Sequence, residues 1–427
     1  MGRFTARRLM ALLLAVLTAL VLVVGLGAGR ARSDRLPVVT VTVESLDDWK
    51  EKTDVRKGTL SYEDGRTGMR FIMPITIHIQ GGSSAHRDKK NYTIRLKSKV
   101  EMHEGWGFHR KYCLKANFID PTHACNIVSA RLAAQMQRRY GLFEGAPNAG
   151  QVDGFPVRMV LNGTPMGLYT WNIPKSAWML GMDESDENDG KHLAVFGKSW
   201  APCVFFKGDE IDYEKGWRFK VGEPTPENRA TFERLYQFVR DASDEDFRSN
   251  ADQYLDLDAC FNYYCFMCAG YAADNIAKNT LLVTYDGLRW APSLYDLDSL
   301  WGVDFRGSGL YEADQGISVG HVINCGGLFG RIRDCFPDEV RARYAELRQY
   351  PLSKENIRAE FERFRAEIPE SCYREDHALW NSDNKRIRTY ELTYDLLDQY
   401  LPTVDAAFGY VEEAAAPPPA PTEAGGG

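Results

Sequence analysis

The sequence predicts an α+β protein of two lobes, β-rich over about residues 38–221 and helical over about 226–410. Alternating or β-branched apolar runs crowd the first half, and apolar residues at helical spacing take over in the second. The 427 residues are 44% hydrophobic and 12% aromatic, enough to bury a sizeable core and too many for one small domain.

Ahead of the first lobe, Arg3, Arg7 and Arg8 precede an uncharged apolar run from Leu9 to Gly29. A positive segment before an apolar run is the export pattern. The run could reach across a bilayer at about 1.5 Å per residue, so a cleaved signal peptide and a membrane tether over residues 9–29 both fit residues 1–33. Either way the protein is expected to be exported. The formal net charge of −7 argues against a general nucleic-acid binder.

Within the β-rich lobe, "VVTVTVE", "MPITIHIQ", "NYTIRLK", "FPVRMVLNG" and "MGLYTW" read as strands, with turn signals such as Asn162-Gly163 between them. One helix interrupts them. In "DPTHACNIVSARLAAQMQRRYG", Ile127, Ala130, Leu132, Ala133 and Met136 share a face, and Gly141 stops the helix. The acidic run "MDESDENDGKH" reads as a solvated loop.

The second half opens with "PENRATFERLYQFVRDA", a helix begun by proline and glutamate. "LDACFNYYCFMCAGYAA" is apolar nearly all round and should be buried. Its Cys260, Cys265 and Cys268 read as buried free thiols, because helical spacing does not bring them to one point and no histidine is near. Three further helices follow. The last stretch, 411–427, is a Pro/Ala/Gly tail with too little apolar content to order itself.

The chemistry concentrates in "YAADNIAKNTLLVTYDGLRWAPSLYDLDSLWG". The buried helix ends near Ala273, so Asp274 stands at its exit, with Asn279 five residues on. "LLVTY" and "LRW" flank Asp286-Gly287, a strong hairpin turn. The returning strand would bring Asp296 and Asp298 back beside the start of the hairpin. Protein kinases use this order: an aspartate at the attacking hydroxyl, an asparagine five residues later on magnesium, and another magnesium-binding aspartate after a short hairpin. Carboxylate and amide oxygens suit a hard cation, and phosphoryl transfer needs mainly positioning and charge neutralisation. The residues alone leave a structural carboxylate cluster and a calcium site open. The usual glycine-loop, H-R-D, D-F-G and A-P-E motifs are missing.

Four ordered segments extend the picture: "IHIQGGSSAHRDKKNYTIRL", "YCLKANFIDPTHACN", "VRMVLNGTPMGLYT" and "DNIAKNTLLVTYDGLRWAPSLYDLDSLWG". Together they resemble the spore-coat CotH kinase family, over roughly residues 70–405. The resemblance implies an atypical, kinase-like bilobal fold and an exported or surface-associated enzyme. That enzyme would use ATP and Mg2+ (or Mn2+) to phosphorylate hydroxyls of coat or surface proteins. Carried over by position, Asp274 matches the catalytic aspartate, and Asn279, Asp296 and Asp298 the metal-binding set. Gly82, Ser83 and Ser84, with Lys90 and Lys115, match nucleotide-binding positions.

Each of these has a bland alternative. The glycine loop from Gly81 also reads as a plain hairpin turn, Lys90 as a surface lysine and Lys115 as an edge residue. Asp120 and Asn126 fit a helix cap. The chain departs from the family at Gln80 and Cys125, where arginines are expected, at Asn172, where a glutamate is common, and at Tyr295, where a tryptophan is. These departures keep a second reading open, a non-catalytic surface or adhesion protein on the same scaffold.

Overall fold

The computed structural model describes residues 36–183 and 189–412. The apolar run at 9–29, the centre of the acidic loop at 184–188 and the tail from 413 lie outside the described residues. No helix among the described residues is long and apolar enough to cross a membrane.

Seven strands close into a barrel: β1 (Val38–Val43), β2 (Arg56–Glu63), β3 (Arg70–Gln80), β4 (Asn91–Val100), β5 (His109–Lys115), β6 (Gly154–Leu161) and β7 (Thr164–Asn172). Their order around the barrel is β1-β2-β3-β4-β5-β7-β6. The parallel pairing of β1 with β6 shuts the ring, which leaves no open edge. Alternation fills the interior: Val39, Val41 and Val43, then Ile75, Ile77 and Ile79, then Ile94 and Leu96 all point inward and are buried.

The interrupting helix α1 (Cys125–Arg139) lies where the sequence placed it. A second sheet, in the order β11-β10-β8-β9, joins β8 (Leu193–Gly197) and β9 (Trp217–Val221) to the hairpin β10 (Thr280–Thr284) and β11 (Ala291–Leu294). This sheet takes two strands from each side of residue 222, so it stitches the two halves of the chain together.

The remaining helices are α2 (Pro226–Asp241), α3 (Asp244–Asn250), α4 (Leu257–Ala269), α5 (Tyr311–Gln315), α6 (Val319–Ile323), α7 (Gly327–Cys335), α8 (Pro337–Gln349), α9 (Lys354–Ala366), α10 (Glu370–Trp380) and α11 (Tyr390–Phe408). Pro226 opens α2 behind a Thr225 cap, as its sequence suggests. The apolar helix α4 is the hub of the second lobe, buried on every face from Ala259 to Ala269. All nine cysteines are free thiols, and Cys260, Cys265 and Cys268 are buried in α4 as expected.

Candidate active site

Helix α4 delivers the first carboxylate. It ends at Ala269, the chain reverses through Tyr271 at φ 49°, and a short 3-10 turn, Ala273–Ile276, carries Asp274. Tyr263 anchors this turn from inside α4, its hydroxyl 2.7 Å from Thr280 Oγ1 and 3.3 Å from the Asn275 carbonyl. The hairpin then does what its turn pair predicts. Thr280 pairs with Leu294, so the register sets Asn279 opposite Tyr295, next to Asp296. Asn275 ties the two halves directly, its Nδ2 donating to the Tyr295 carbonyl at 3.1 Å.

Asn279 and Asp296 both take left-handed backbone conformations, with φ of 63° and 59°. Asparagine and aspartate tolerate that region best among residues with a Cβ, yet it still carries strain that the surroundings must hold. Helix α1 supplies the hold. Asn126 Oδ1 accepts from Leu297 N at 3.0 Å, and the Cys125 thiol donates to the Leu297 carbonyl at 3.2 Å. Leu297, between the two aspartates, is thus gripped through both its backbone groups. Farther along, Trp301 Nε1 donates to Ser129 Oγ at 2.9 Å.

The electrostatics show which charges converge. Burial pushes Asp298 up to about 7, Asp296 and Asp274 add to the rise, and Lys115 opposes it. Burial likewise raises Asp274, against the pull of Lys278, with Asp296 and Asp304 adding to it. At Lys115, burial disfavours the ammonium, but Tyr295, Asp296 and Asp298 outweigh it and the net shift is upward. Asp298 therefore lies within reach of Asp296, Asp274 and Lys115, and Asp274 within reach of Asp296. Lys115, Asn126, Asn172, Tyr295 and Asp296 line one small pocket of about 10 Å3, at most a single water's room.

The glycine loop sits at the turn from β3 to β4. Gly81 has φ 122°, and a Cβ there would lie 1.9 Å from Ser84 Oγ, so only glycine fits. Gly82 precedes the 3-10 turn Ser83–His86, which contains Ser83 and Ser84. Lys90 Nζ donates to the Ala85 carbonyl at 3.0 Å, which ties it to this turn. Arg87 reaches from the loop over the Phe118 ring, 5.8 Å from its centroid. Lys89, the neighbour of Lys90, turns inward: its Nζ lies 2.6 Å from Asp376 Oδ1 and 2.6 Å from the Leu168 carbonyl.

Three further residues were not anticipated from the sequence. Lys278 pairs with Asp274 at 2.8 Å, a contact that the four-residue spacing on a turn could have signalled. Lys175 places its ammonium 3.2 Å from the Phe196 ring centroid and 3.8 Å from that of Tyr295. Burial, then Lys220, holds it well below the ordinary lysine range, with Asp296 opposing. Nothing in the sequence foretells it. Asn275 is the third, and its Oδ1 is buried without a partner.

A divalent cation fits the donor types here. Carboxylates such as the buried Asp274 and the half-buried Asp296 and Asp298 are the oxygen donors that a hard cation takes. Among the described residues no three His, Cys, Asp or Glu side chains group closely enough to hold an ion by themselves.

Residues 77–401 match the family model described as CotH kinase protein. No curated protein matches the chain.

Proposed function

The chain belongs to the CotH kinase family, and from that membership we propose that it is an exported, ATP- and Mg2+- or Mn2+-dependent protein kinase acting on hydroxyls of coat or surface proteins. The observation that carries the reading is the hydrogen bond from Asn275 Nδ2 to the Tyr295 carbonyl, which ties the turn that carries Asp274 to the strand end that carries Asp296 and Asp298. Family membership by itself supports kinase-like or coat-related work. The finer assignment rests on these residues.

In this reading Asp274 orients the acceptor hydroxyl and takes its proton as the oxygen bonds to the γ-phosphorus of ATP and the bond from that phosphorus to the β,γ-bridging oxygen breaks, releasing ADP. Its burial suits it to the task by raising its basicity. Lys115 lies among the carboxylates and neutralises phosphate oxygens. Asn279, Asp296 and Asp298 hold the metal. Gly82, Ser83 and Ser84 cover the phosphates, and Lys90, held at their turn through the Ala85 carbonyl, neutralises phosphate charge with Lys115. The bound nucleotide and metal supply the phosphoryl group and the charge neutralisation that lowers its barrier. The Cys125 thiol holds the Leu297 carbonyl at a position where the family carries arginine, so the local scaffold is kept by a different contact. Export is supported by the Arg3–Arg8 charges before the apolar run at 9–29.

The test is transfer of labelled phosphate from ATP, with magnesium or manganese, to a serine-rich coat-like protein or to the chain itself. Transfer that disappears in Asp274→Ala and Asp296→Ala supports the kinase. No transfer, together with no thermal shift from ATP and metal, leaves the non-catalytic surface scaffold. Fractionation of the producing cells tests the location.

A further inference from the structure

A second cavity has none of Asp274, Asp296 and Asp298 in its walls. It encloses about 370 Å3 between α9, α10, the start of α11 and the loop that joins β5 to α1. That volume is in the range of small-ligand pockets. Its walls carry Lys89, Arg365, Arg374, Arg386 and Arg388 against the carboxylates Glu370, Asp376 and Glu391. A chain of net charge −7 has thus gathered a cationic surplus in one hollow.

Most of these charges are accounted for. Lys89 is bound to Asp376 at 2.6 Å, and Arg365 to Glu391 at 3.2 Å. Arg388 is not. It is only 2% exposed and donates through Nη2 to the Leu300 carbonyl at 2.8 Å. Its Nε stays 3.8 Å from Asp120 Oδ1, and both Nε and Nη1 lack a hydrogen-bond partner. A buried guanidinium with idle N–H groups is costly unless something accepts from them. Arg386, stacked 4.4 Å from the Phe118 centroid, and the exposed Arg374 flank the same space. Arginine forks match the oxygens of a tetrahedral dianion.

We propose that this cavity binds a phosphate dianion, either free orthophosphate or the phosphate of a phosphorylated side chain. Tyr373, Trp380 and Tyr390 offer an apolar wall for the organic part of the second. The site stands next to the catalytic segment, since Arg388 holds the carbonyl of Leu300, two residues past Asp298. It does not depend on the phosphotransfer reading.

Calorimetry on the full chain, free of nucleotide and metal, tests the proposal at constant ionic strength. The probes are orthophosphate and N-acetyl-phosphoserine amide, with acetate and N-acetylserine amide as controls. Both or either phosphate probe should bind with Kd below about 1 mM, and the tighter one identifies the source. Arg374→Gln and Arg386→Gln should each weaken binding about tenfold, the loss of one charge-assisted contact. These two lie toward the rim, so they keep the test alive if Arg388→Met fails to fold. The proposal is overturned if neither phosphate binds or if acetate binds as well. It is also overturned if the heat survives both arginine changes but vanishes in Lys115→Met, which would put the anion among the catalytic carboxylates.

Discussion

The Lys278 ammonium lies 2.8 Å from Asp274 Oδ2, one turn along the chain from the carboxylate that we assign as catalytic base. Burial and Asp296 raise the affinity of Asp274 for its proton, and Lys278 opposes them. Removing the ammonium should therefore raise it further. A base works only when ionised, so Lys278→Met should move the acid limb of the phosphotransfer pH profile to higher pH. Activity should fall more at pH 6 than at pH 8. An unmoved limb would show that Lys278 does not set the ionisation of Asp274.

Lys175 makes a separate prediction. Its ammonium, wedged between Phe196 and Tyr295, has like charges in Lys220 and Lys115 near it and Asp296 in opposition. Such a group gains most when a polyanion arrives. Lys175→Met should raise KM for ATP about tenfold, the loss of roughly 1.4 kcal/mol of binding, with kcat little changed. A drop in kcat at constant KM would instead give Lys175 a role in the transition state alone.

Much of this arrangement was legible in the sequence, for reasons that can be named. Helix α4 announces itself because it is apolar all round, and the hairpin because Asp286-Gly287 fixes its turn, with Gly287 at φ 71°. Together these bring Asp274 and Asp296 to one place through local rules. Contacts made across the chain were not legible. The grip of Cys125 on Leu297 spans 172 positions, and the bond of Lys89 to Asp376 spans 287. No local pattern encodes such pairs. The same blindness hid the second sheet, whose strands come from either side of the boundary between the two halves. The strained backbone of Asp296 was equally invisible, since its φ is set by what surrounds it.

The buried trio of Lys89, Asp376 and His123 should dominate stability at the rim of the barrel. Asp376 takes Lys89 Nζ at 2.6 Å on one oxygen and His123 Nε2 at 2.9 Å on the other. Burial alone would raise the Asp376 carboxyl, but Lys89 and His123 outweigh it and hold it well below the usual range. A carboxyl lowered in this way adds stability above its unfolded value, near pH 4, and that stability fades as pH falls. Asp376→Asn strands a buried ammonium and should cost about 3–5 kcal/mol. The double change with Lys89→Met should cost less than the two single changes added together. Urea unfolding at pH 7 and at pH 3 measures both effects, and the part of the acid loss due to Asp376 should be missing in Asp376→Asn. Additive costs, or an unchanged acid slope, would remove the pair from the account of stability.

Two glycines separate backbone strain from packing beside the site. Gly307 and Gly316 have similar left-handed φ values of 72° and 65°. A Cβ on Gly316 meets open space, whereas one on Gly307 would lie 2.2 Å from the Ile119 carbonyl. Gly316→Ala should therefore cost roughly 1–2 kcal/mol, the strain of a Cβ in that conformation. Gly307→Ala should carry the same strain plus an overpacking cost of about 1–3 kcal/mol. The clash also falls on a working part. Ile119 precedes Asp120, whose Oδ2 accepts from the Cys125 N–H at 2.8 Å and so fixes the start of the helix that grips Leu297. On the other side, the Gly307 carbonyl accepts from Ile387 N at 2.9 Å, one residue before Arg388. Gly307→Ala should thus lower phosphotransfer at temperatures where it remains folded, and Gly316→Ala should not. Equal stability and equal activity in the two variants would show that the Ile119 backbone yields freely and that this contact does not position the carboxylates.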